Sequence, residues 1–221
     1  TATSGPDMHL IYGGTFDPVH NGHLRVAIEL RERLEVDCIH LMPCHIPPHR
    51  ATPGGTSEDR LDLLTLSVAD EPGLAVDGRE LRRGGSSYTA DTLRQLRREL
   101  GADEPLAIVL GTDAFSGFDR WEEWEQIPEL AHIILVRRPN AELEPGSVPE
   151  RLLAEGRVEH LPEIKSMPAG GIYEIEPPML DISATGVRER LEQGRSIRFL
   201  VPDAVVTEIR RRGLYGGEPG Q

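Results

Sequence analysis

The chain has 221 residues, of which 38% are hydrophobic, and a formal net charge of −13. This length fits one α/β domain with a sizeable core. The negative charge argues against a general nucleic-acid binder or a protein that docks on anionic membranes, because either would need a broad basic face. No segment is apolar over the length that spans a bilayer, and the start of the chain lacks the basic-then-apolar order of a secretory signal. We therefore expect a cytoplasmic protein in which any anion-binding site is local.

Strand-like and helix-like segments alternate along the chain. Strands are predicted over 8–12, 36–43, 74–77, 106–110, 132–136 and 172–175, with 157–161 as a further candidate. Helices are predicted from residue 24 through Leu34, and over 57–69, 89–100, 150–155, 182–191 and 202–211, with a short acidic helix-like stretch that ends near Pro128. The alternation predicts an α/β fold: a Rossmann-like, doubly wound parallel sheet with helices on both faces, in a single domain. We assign 8–215 to that domain, 1–7 to a remnant of expression cloning and 216–221 to a flexible tail.

The turn between the first strand and the first helix carries the strongest functional signal, with the sequence GGTFDPVHNGH over 13–23. Gly13 and Gly14 let the backbone turn and approach a ligand closely. His20 and His23 are three residues apart at the first turn of a helix, where free N–H groups and the helix dipole attract anions. Gly22 is predicted to leave space for a ligand beside both imidazoles. The segment is therefore predicted to bind phosphate.

A second candidate for anion binding is the sequence ISATGVR over 182–188. It places the hydroxyls of Ser183 and Thr185 at a helix start, with Arg188 one turn later. Such an arrangement can hold a di- or triphosphate through backbone donors and a guanidinium, although an ordinary N-cap has the same pattern. The other phosphate-type turn in the same chain favours the functional interpretation.

Other residues are candidates for holding a second substrate. Asp113, just beyond the strand at 106–110, could bond ribose hydroxyls or cap a helix. Trp121 could stack on a flat heterocycle while Trp124 packs in the core. Thr89 is predicted to be an N-cap, and Arg50, in a proline-rich loop, is either a surface charge or a phosphate clamp.

Several familiar catalytic patterns are absent from the sequence: a Ser/His/Asp order, a CxxC pair, a GxxxxGK(S/T) loop and, beyond isolated histidine spacings, a metal site. Nucleotidyl transfer onto a phosphate needs none of them, because the acceptor is already anionic and the protein supplies alignment and charge neutralisation. This reaction class is therefore compatible with both phosphate-type motifs.

These motifs resemble those of the bacterial nicotinate mononucleotide adenylyltransferases, within the nucleotidyltransferases that carry an HxGH signature. The resemblance spans nearly the whole chain and rests on 13–23, 47–50 (PPHR), 87–92 (SYTADT), 111–113 (GTD), Trp121 and 182–188. It implies a reaction of NAD biosynthesis in which ATP and nicotinate mononucleotide give nicotinate adenine dinucleotide and pyrophosphate. It also implies Mg²⁺ carried by the ATP phosphates, with no metal site on the protein.

The resemblance also implies a role for each candidate residue. The catalytic residues would be His20, His23 and Arg188, with the histidines on the ATP phosphates and the transferring α-phosphoryl group. Ser183, Thr185 and Arg188 would hold the β- and γ-phosphates, and Gly13, Gly14, Thr15 and Phe16 would complete the ATP site. The substrate-binding residues would be Trp121 on the pyridine ring, Thr89 and the backbone at Trp121-Glu122 on the nicotinate carboxylate, Asp113 on a ribose, and Arg50, which stands where many relatives have lysine and binds phosphate as a planar fork.

Two other functions remain open at this stage. One is an adenylyl- or cytidylyltransferase with a different acceptor, such as phosphopantetheine, and the other is a nucleotide-binding regulatory module without turnover. The sequence does not fix the preference between nicotinate and nicotinamide mononucleotide, nor whether the chain forms a homo-oligomer.

Overall fold

A single parallel sheet organises the computed structural model, which describes residues 7–48, 53–139 and 141–216. Its strands are β1 (His9–Gly14), β2 (Ile39–Pro43), β3 (Leu74–Val76), β4 (Leu106–Gly111), β5 (His132–Val136) and β6 (Ile172–Ile175). Their order across the sheet is β3-β2-β1-β4-β5-β6, and every pairing is parallel. The order reverses between β1 and β4, and in open parallel sheets ligands bind beyond the carboxyl ends of the strands at such a point.

Helices connect the strands and cover the sheet. They are α1 (Asn21–Arg33), α2 (Ser57–Val68), α3 (Arg79–Arg83), α4 (Thr89–Leu100), α5 (Thr112–Phe115), α6 (Ile127–Leu130), α7 (Val148–Gly156), α8 (Leu161–Lys165), α9 (Ala184–Glu192) and α10 (Asp203–Arg212). Within the described ranges, no helix has both the length and the apolarity to cross a membrane.

Each face of the sheet supports its own apolar core, because successive side chains of a strand point to opposite faces. Leu10 of β1 and Val109 of β4 belong to a buried cluster that includes side chains of α1, α2, α9 and α10. Ile11 and Ile108, their alternating neighbours, belong to a second cluster with side chains of α4 and α6. The predicted fold, a doubly wound parallel sheet with helices on both faces, is confirmed.

One local prediction is wrong. The candidate strand at 157–161 is absent: Arg157 forms an isolated bridge with Ile172, and Leu161 begins α8. The short acidic stretch predicted to end near Pro128 is a 3₁₀ turn over Trp124–Gln126 that runs into α6, and Pro128 lies in the first turn of α6. A proline is tolerated there because the amide hydrogen that it lacks would have no partner in the helix.

Two histidines stack between neighbouring strands of the sheet. The ring centroids of His9 and His40 are 4.1 Å apart. Burial lowers the pKa of His9 to about 4, and the nearby charges of His40 and Arg79 act in the same direction, against Asp77 and Glu99. His9 Nε2 is buried without a hydrogen-bond partner among the described residues. The native fold therefore holds His9 in its neutral form.

We expect His9 to make the fold sensitive to acid. The unfolded chain binds a proton on this residue near pH 6.5 and the folded chain only near pH 4, so stability falls as the pH decreases between these values. After discounting for partial exposure, the loss at pH 5 should be about 1 kcal/mol. Urea unfolding at pH 7 and pH 5 should show a smaller loss for His9→Phe, which stacks but does not titrate, than for the wild type.

The control for this experiment is His160→Gln, which removes an exposed histidine. It should lose as much stability as the wild type on acidification. An equal loss in His9→Phe and the wild type would contradict the assignment to His9.

Candidate active site

The phosphate-type turn begins where β1 reaches the carboxyl edge of the sheet. Phe16 has a φ of 50°, in the left-handed region, and its ring is buried below Gly14. A Cβ on Gly14 would lie 3.2 Å from that ring. Gly14 therefore accommodates the close approach of the Phe16 phenyl ring to the backbone, and any larger residue would press on that ring.

The two histidines cap the start of α1 reciprocally. His20 is the N-cap, and its Nδ1 accepts a hydrogen bond from the backbone N–H of His23 at 3.3 Å. Nδ1 of His23 accepts from the backbone N–H of His20 at 3.2 Å, and the two rings stack with centroids 3.7 Å apart. Because each Nδ1 is an acceptor, the proton of each neutral imidazole is assigned to Nε2. The cap thus defines two ring N–H donors at a helix N-terminus.

Burial sets the charge of the first of these donors. The side chain of His20 is nearly inaccessible to solvent, and its desolvation lowers the pKa to about 4. His20 is therefore neutral at physiological pH and offers a dipolar N–H to an anion instead of a full charge.

Gly22 has a structural role in addition to the predicted one. A Cβ at this position would lie 2.8 Å from Cε1 and from Nδ1 of His20, and 3.5 Å from the carbonyl oxygen of Ile182. The absence of a side chain at Gly22 therefore lets the His20 ring take its place in the cap. The space for a ligand beside both imidazoles stays a prediction.

The segment 182–188 lies next to the histidine turn. Ser183 caps α9 by accepting from the N–H of Gly186 at 3.0 Å. Arg188 donates through Nη1 to the backbone oxygen of Asp17 at 2.7 Å and through Nη2 to Thr185 Oγ1 at 3.3 Å. The structure therefore brings the two motifs together through Arg188 and Asp17, which are 171 positions apart in the chain.

Asp17 organises the floor of this site, a role that the sequence analysis missed. Its carboxylate is 6% exposed and accepts from the N–H groups of Gly54 at 2.7 Å and Gly55 at 2.9 Å. The hydroxyl of Tyr215 donates to it at 2.9 Å. Asp17 thus joins the turn, the loop before α2 and the C-terminal segment.

Arg60 is a second organising residue that the sequence analysis missed. Its side chain is fully buried and donates to the backbone oxygens of Thr15 at 2.6 Å and His45 at 3.1 Å. The available signal was its register in α2, one turn before the buried Leu63 and Leu64. An arginine on the apolar stripe of a helix indicates a buried partner.

The predicted second-substrate residues lie on several elements near β4. Asp113 lies in the first turn of α5, is 74% exposed and forms a 3.4 Å ion pair with Arg138, which follows β5. Trp121 and Trp124 are both partly buried against Phe118, with ring centroids 5.4 Å and 6.2 Å away. The geometry therefore does not single out one tryptophan as ligand-facing.

Other predicted residues have different outcomes. Thr89 is the first residue of α4, and the N-cap is Tyr88, which makes no capping side-chain bond; the prediction of Thr89 as N-cap is wrong by one position. Glu122 is exposed. Arg50 lies outside the described residues. Across the part of the chain that the structure describes, no group of three or more His, Cys, Asp or Glu side chains is placed to hold a metal.

The geometry of Gly22 generates a test. Alanine is favoured over glycine in a helix by about 1 kcal/mol, but its Cβ would displace the His20 ring and break the reciprocal cap. We therefore expect Gly22→Ala to gain no stability. In NMR spectra, the ¹⁵N chemical shift of His20 Nδ1 should change from that of a hydrogen-bonded acceptor to that of a nitrogen without this hydrogen bond. Arg25→Ala, on the exposed side of α1, should leave that shift unchanged; an unaltered shift in Gly22→Ala would refute the assigned role.

Comparisons with known proteins agree on one family. A family model described as cytidylyltransferase-like matches residues 11–190. A protein from Marinobacter nauticus named "Probable nicotinate-nucleotide adenylyltransferase" is 58% identical over 96% of this chain and 98% of its own length. A protein of the same name from Chromohalobacter salexigens is 46% identical over 97% and 98% of the two chains.

Solved structures of a nicotinic acid mononucleotide adenylyltransferase share the fold of this chain. The Plasmodium falciparum nicotinic acid mononucleotide adenylyltransferase complexed with NaAD matches 97% of this chain and 100% of its own, with a TM-score of 0.71 and 18% identity. The same enzyme complexed with APC matches with a TM-score of 0.70. From its full-length similarity to the bacterial proteins, the chain belongs to the nicotinate-nucleotide adenylyltransferase family, and is a nucleotidyltransferase.

Proposed function

We propose that this enzyme transfers the adenylyl group of ATP to nicotinate mononucleotide, forming nicotinate adenine dinucleotide and pyrophosphate. The observation that carries the proposal is the hydrogen bond from Arg188 to Asp17, which unites the two phosphate-type motifs at one site. The names of relatives up to 58% identical over the full length support the same reaction.

The reaction needs alignment and charge stabilisation more than acid-base chemistry. A phosphate oxygen of the acceptor attacks the α-phosphorus of ATP, a new P–O bond forms, and the bond from the α-phosphorus to the bridging oxygen of pyrophosphate breaks. No proton has to leave the nucleophile, because the acceptor phosphate is already anionic. The enzyme contributes preorganised donors where negative charge accumulates.

The described geometry suits this task. The Nε2–H groups of His20 and His23, at the N-terminus of α1, would face the transferring phosphoryl group. Arg188, with Ser183 and Thr185 at the start of α9, would hold the β- and γ-phosphates. Neither histidine can rotate freely, because each Nδ1 is engaged with the other residue's backbone.

The polar groups around this turn fit Mg²⁺ that is bound to ATP. The turn presents N–H groups and a guanidinium, and its buried carboxylate, Asp17, is occupied by three hydrogen bonds. This set fits a metal that arrives on the ATP phosphates. Bound there, Mg²⁺ would neutralise phosphate charge, and Arg188 would add the positive charge of a guanidinium.

The acceptor is proposed to bind on the side of the sheet that carries α4. Thr89 and Trp121 belong to elements that share the second apolar cluster, around Phe118. Trp121 would stack on the pyridine ring, Thr89 and the backbone of Glu122 would receive the carboxylate, and Asp113 would bond a ribose. The proposed role of Arg50, the cytoplasmic location and homo-oligomer formation remain predictions from the sequence.

A panel of substrates tests the reaction. The purified enzyme is supplied with Mg²⁺ and ATP together with nicotinate mononucleotide, nicotinamide mononucleotide or phosphopantetheine, and with CTP in place of ATP. Pyrophosphate release and chromatography of the products should show nicotinate adenine dinucleotide from ATP and nicotinate mononucleotide. If phosphopantetheine is the only acceptor that is converted, the alternative of a transferase with a different acceptor replaces the proposal. If ATP binds but no product forms with any acceptor, the alternative of a regulatory module without turnover replaces it.

A substitution at His23 tests the donor role. His23→Ala removes the cap as well as the donor and should destabilise the fold by about 1 kcal/mol. His23→Asn can keep an acceptor near the position of Nδ1 while removing Nε2. It should retain a near-native melting temperature and lose at least about 100-fold in kcat/KM, corresponding to roughly 3 kcal/mol. Wild-type turnover in this variant would exclude the role, and His160→Gln serves as the surface control.

A further inference from the structure

The C-terminal segment returns to the phosphate-type turn. After α10, Gly213 and Tyr215 both adopt the left-handed region, with φ values of 65° and 54°. Arg212 fixes the end of α10 to α2 through Asp59 at 3.1 Å and Asp62 at 2.9 Å. The chain reversal carries the ring of Tyr215 under the turn, where its hydroxyl donates to Asp17 Oδ1 at 2.9 Å.

The two oxygens of the Asp17 carboxylate have different partners. Oδ1 receives the hydroxyl of Tyr215 and the N–H of Gly55, whereas Oδ2 receives the N–H of Gly54. Nη1 of Arg188 is 3.6 Å from Oδ2 and bonds instead to the backbone oxygen of Asp17 at 2.7 Å. Three neutral donors thus satisfy a carboxylate that has a guanidinium close by.

The length of the ion pair is informative. A guanidinium that engages a carboxylate directly approaches to about 2.7–2.9 Å, so the 3.6 Å separation leaves the pair loose. An arginine that is to hold a triphosphate must not be committed to a carboxylate, because the two anions compete for the same N–H groups. The neutral donors on Asp17 reduce that competition and also reduce the repulsion between its charge and the incoming phosphates.

We propose that Tyr215 is a positioning residue for ATP: its hydroxyl bonds Asp17, so that Arg188 remains available to the triphosphate. This inference rests on the proposed adenylyl transfer, and Tyr215 itself acts through Asp17 without touching the reacting atoms.

The surroundings of Tyr215 fit this role. A Cβ on Gly55 would lie 2.5 Å from the hydroxyl oxygen and 3.0 Å from Cζ, so the phenol ring is closely confined by the loop before α2. Burial and the adjacent Asp17 raise the pKa of Tyr215, so the hydroxyl stays protonated and continues to donate. Both its position and its donor state are therefore defined.

The variant Tyr215→Phe removes one hydroxyl and keeps the ring. We expect calorimetry to show ATP binding weakened by about tenfold, the scale of one hydrogen bond to a charged group, with a similar rise in KM for ATP. KM for nicotinate mononucleotide should change by less than about twofold, because the lost hydrogen bond is proposed to act on ATP binding. The melting temperature should change little, because the ring of Tyr215 is kept and only one hydrogen bond is lost. Tyr173→Phe, in the edge strand β6, is the matched control and should behave like the wild type.

The outcomes separate positioning from simple structural support. Unchanged ATP affinity in Tyr215→Phe would overturn the proposal, as would equal rises in both KM values together with a lower melting temperature. In an Asp17→Asn background, the additional effect of Tyr215→Phe on ATP affinity should fall below twofold, whereas an undiminished effect would show that the hydroxyl does not act through the Asp17 charge.

The binding measurement also keeps the two proposals distinct. If the wild type binds ATP but makes no dinucleotide from nicotinate mononucleotide, the proposed function fails, and the comparison of ATP affinities still decides the role of Tyr215. A wild type that binds no ATP would overturn both.

Discussion

The buried carboxylate of Asp17 is the interaction on which the site depends. It lies in the turn after β1 and is held by the N–H groups of Gly54 and Gly55 and by the hydroxyl of Tyr215. A carboxylate withdrawn from water is stable only if its oxygens are bonded in this way. By meeting that requirement with groups from distant parts of the chain, the fold places the loop before α2, the C-terminal segment and Arg188 around one turn.

In the histidine pair, one set of hydrogen bonds has two structural consequences. The backbone hydrogen bonds that His20 and His23 exchange stabilise the start of α1 and at the same time assign the ring protons to Nε2. Structural capping and presentation of donors are therefore one arrangement, which explains why Gly22 must leave space for an imidazole ring. The proposed anion site is also compatible with a net charge of −13, since its positive character would come from oriented N–H groups and from Arg188.

The fold could be predicted largely from periodicity. The bounds of α4 and β5 agree with those expected, because long amphipathic and continuous apolar runs are strong local signals. The error at 157–161 arose where the signal is weak: α8 is five residues long, and its start is marked mainly by a proline in its first turn. Short helices contribute too few apolar residues for a period to be recognised.

The motifs could be read from the amino-acid sequence alone: the two phosphate-type segments, the histidines, Arg188 and the alternation of strands and helices. The residues that support them emerged from the folded chain, since Asp17 and Tyr215 are 198 positions apart and Arg60 looks like an ordinary charged helix residue until its burial is known. The difference arises because a motif reflects local backbone geometry, which short-range sequence encodes. The satisfaction of a buried charge depends on donors that folding alone brings within hydrogen-bonding distance.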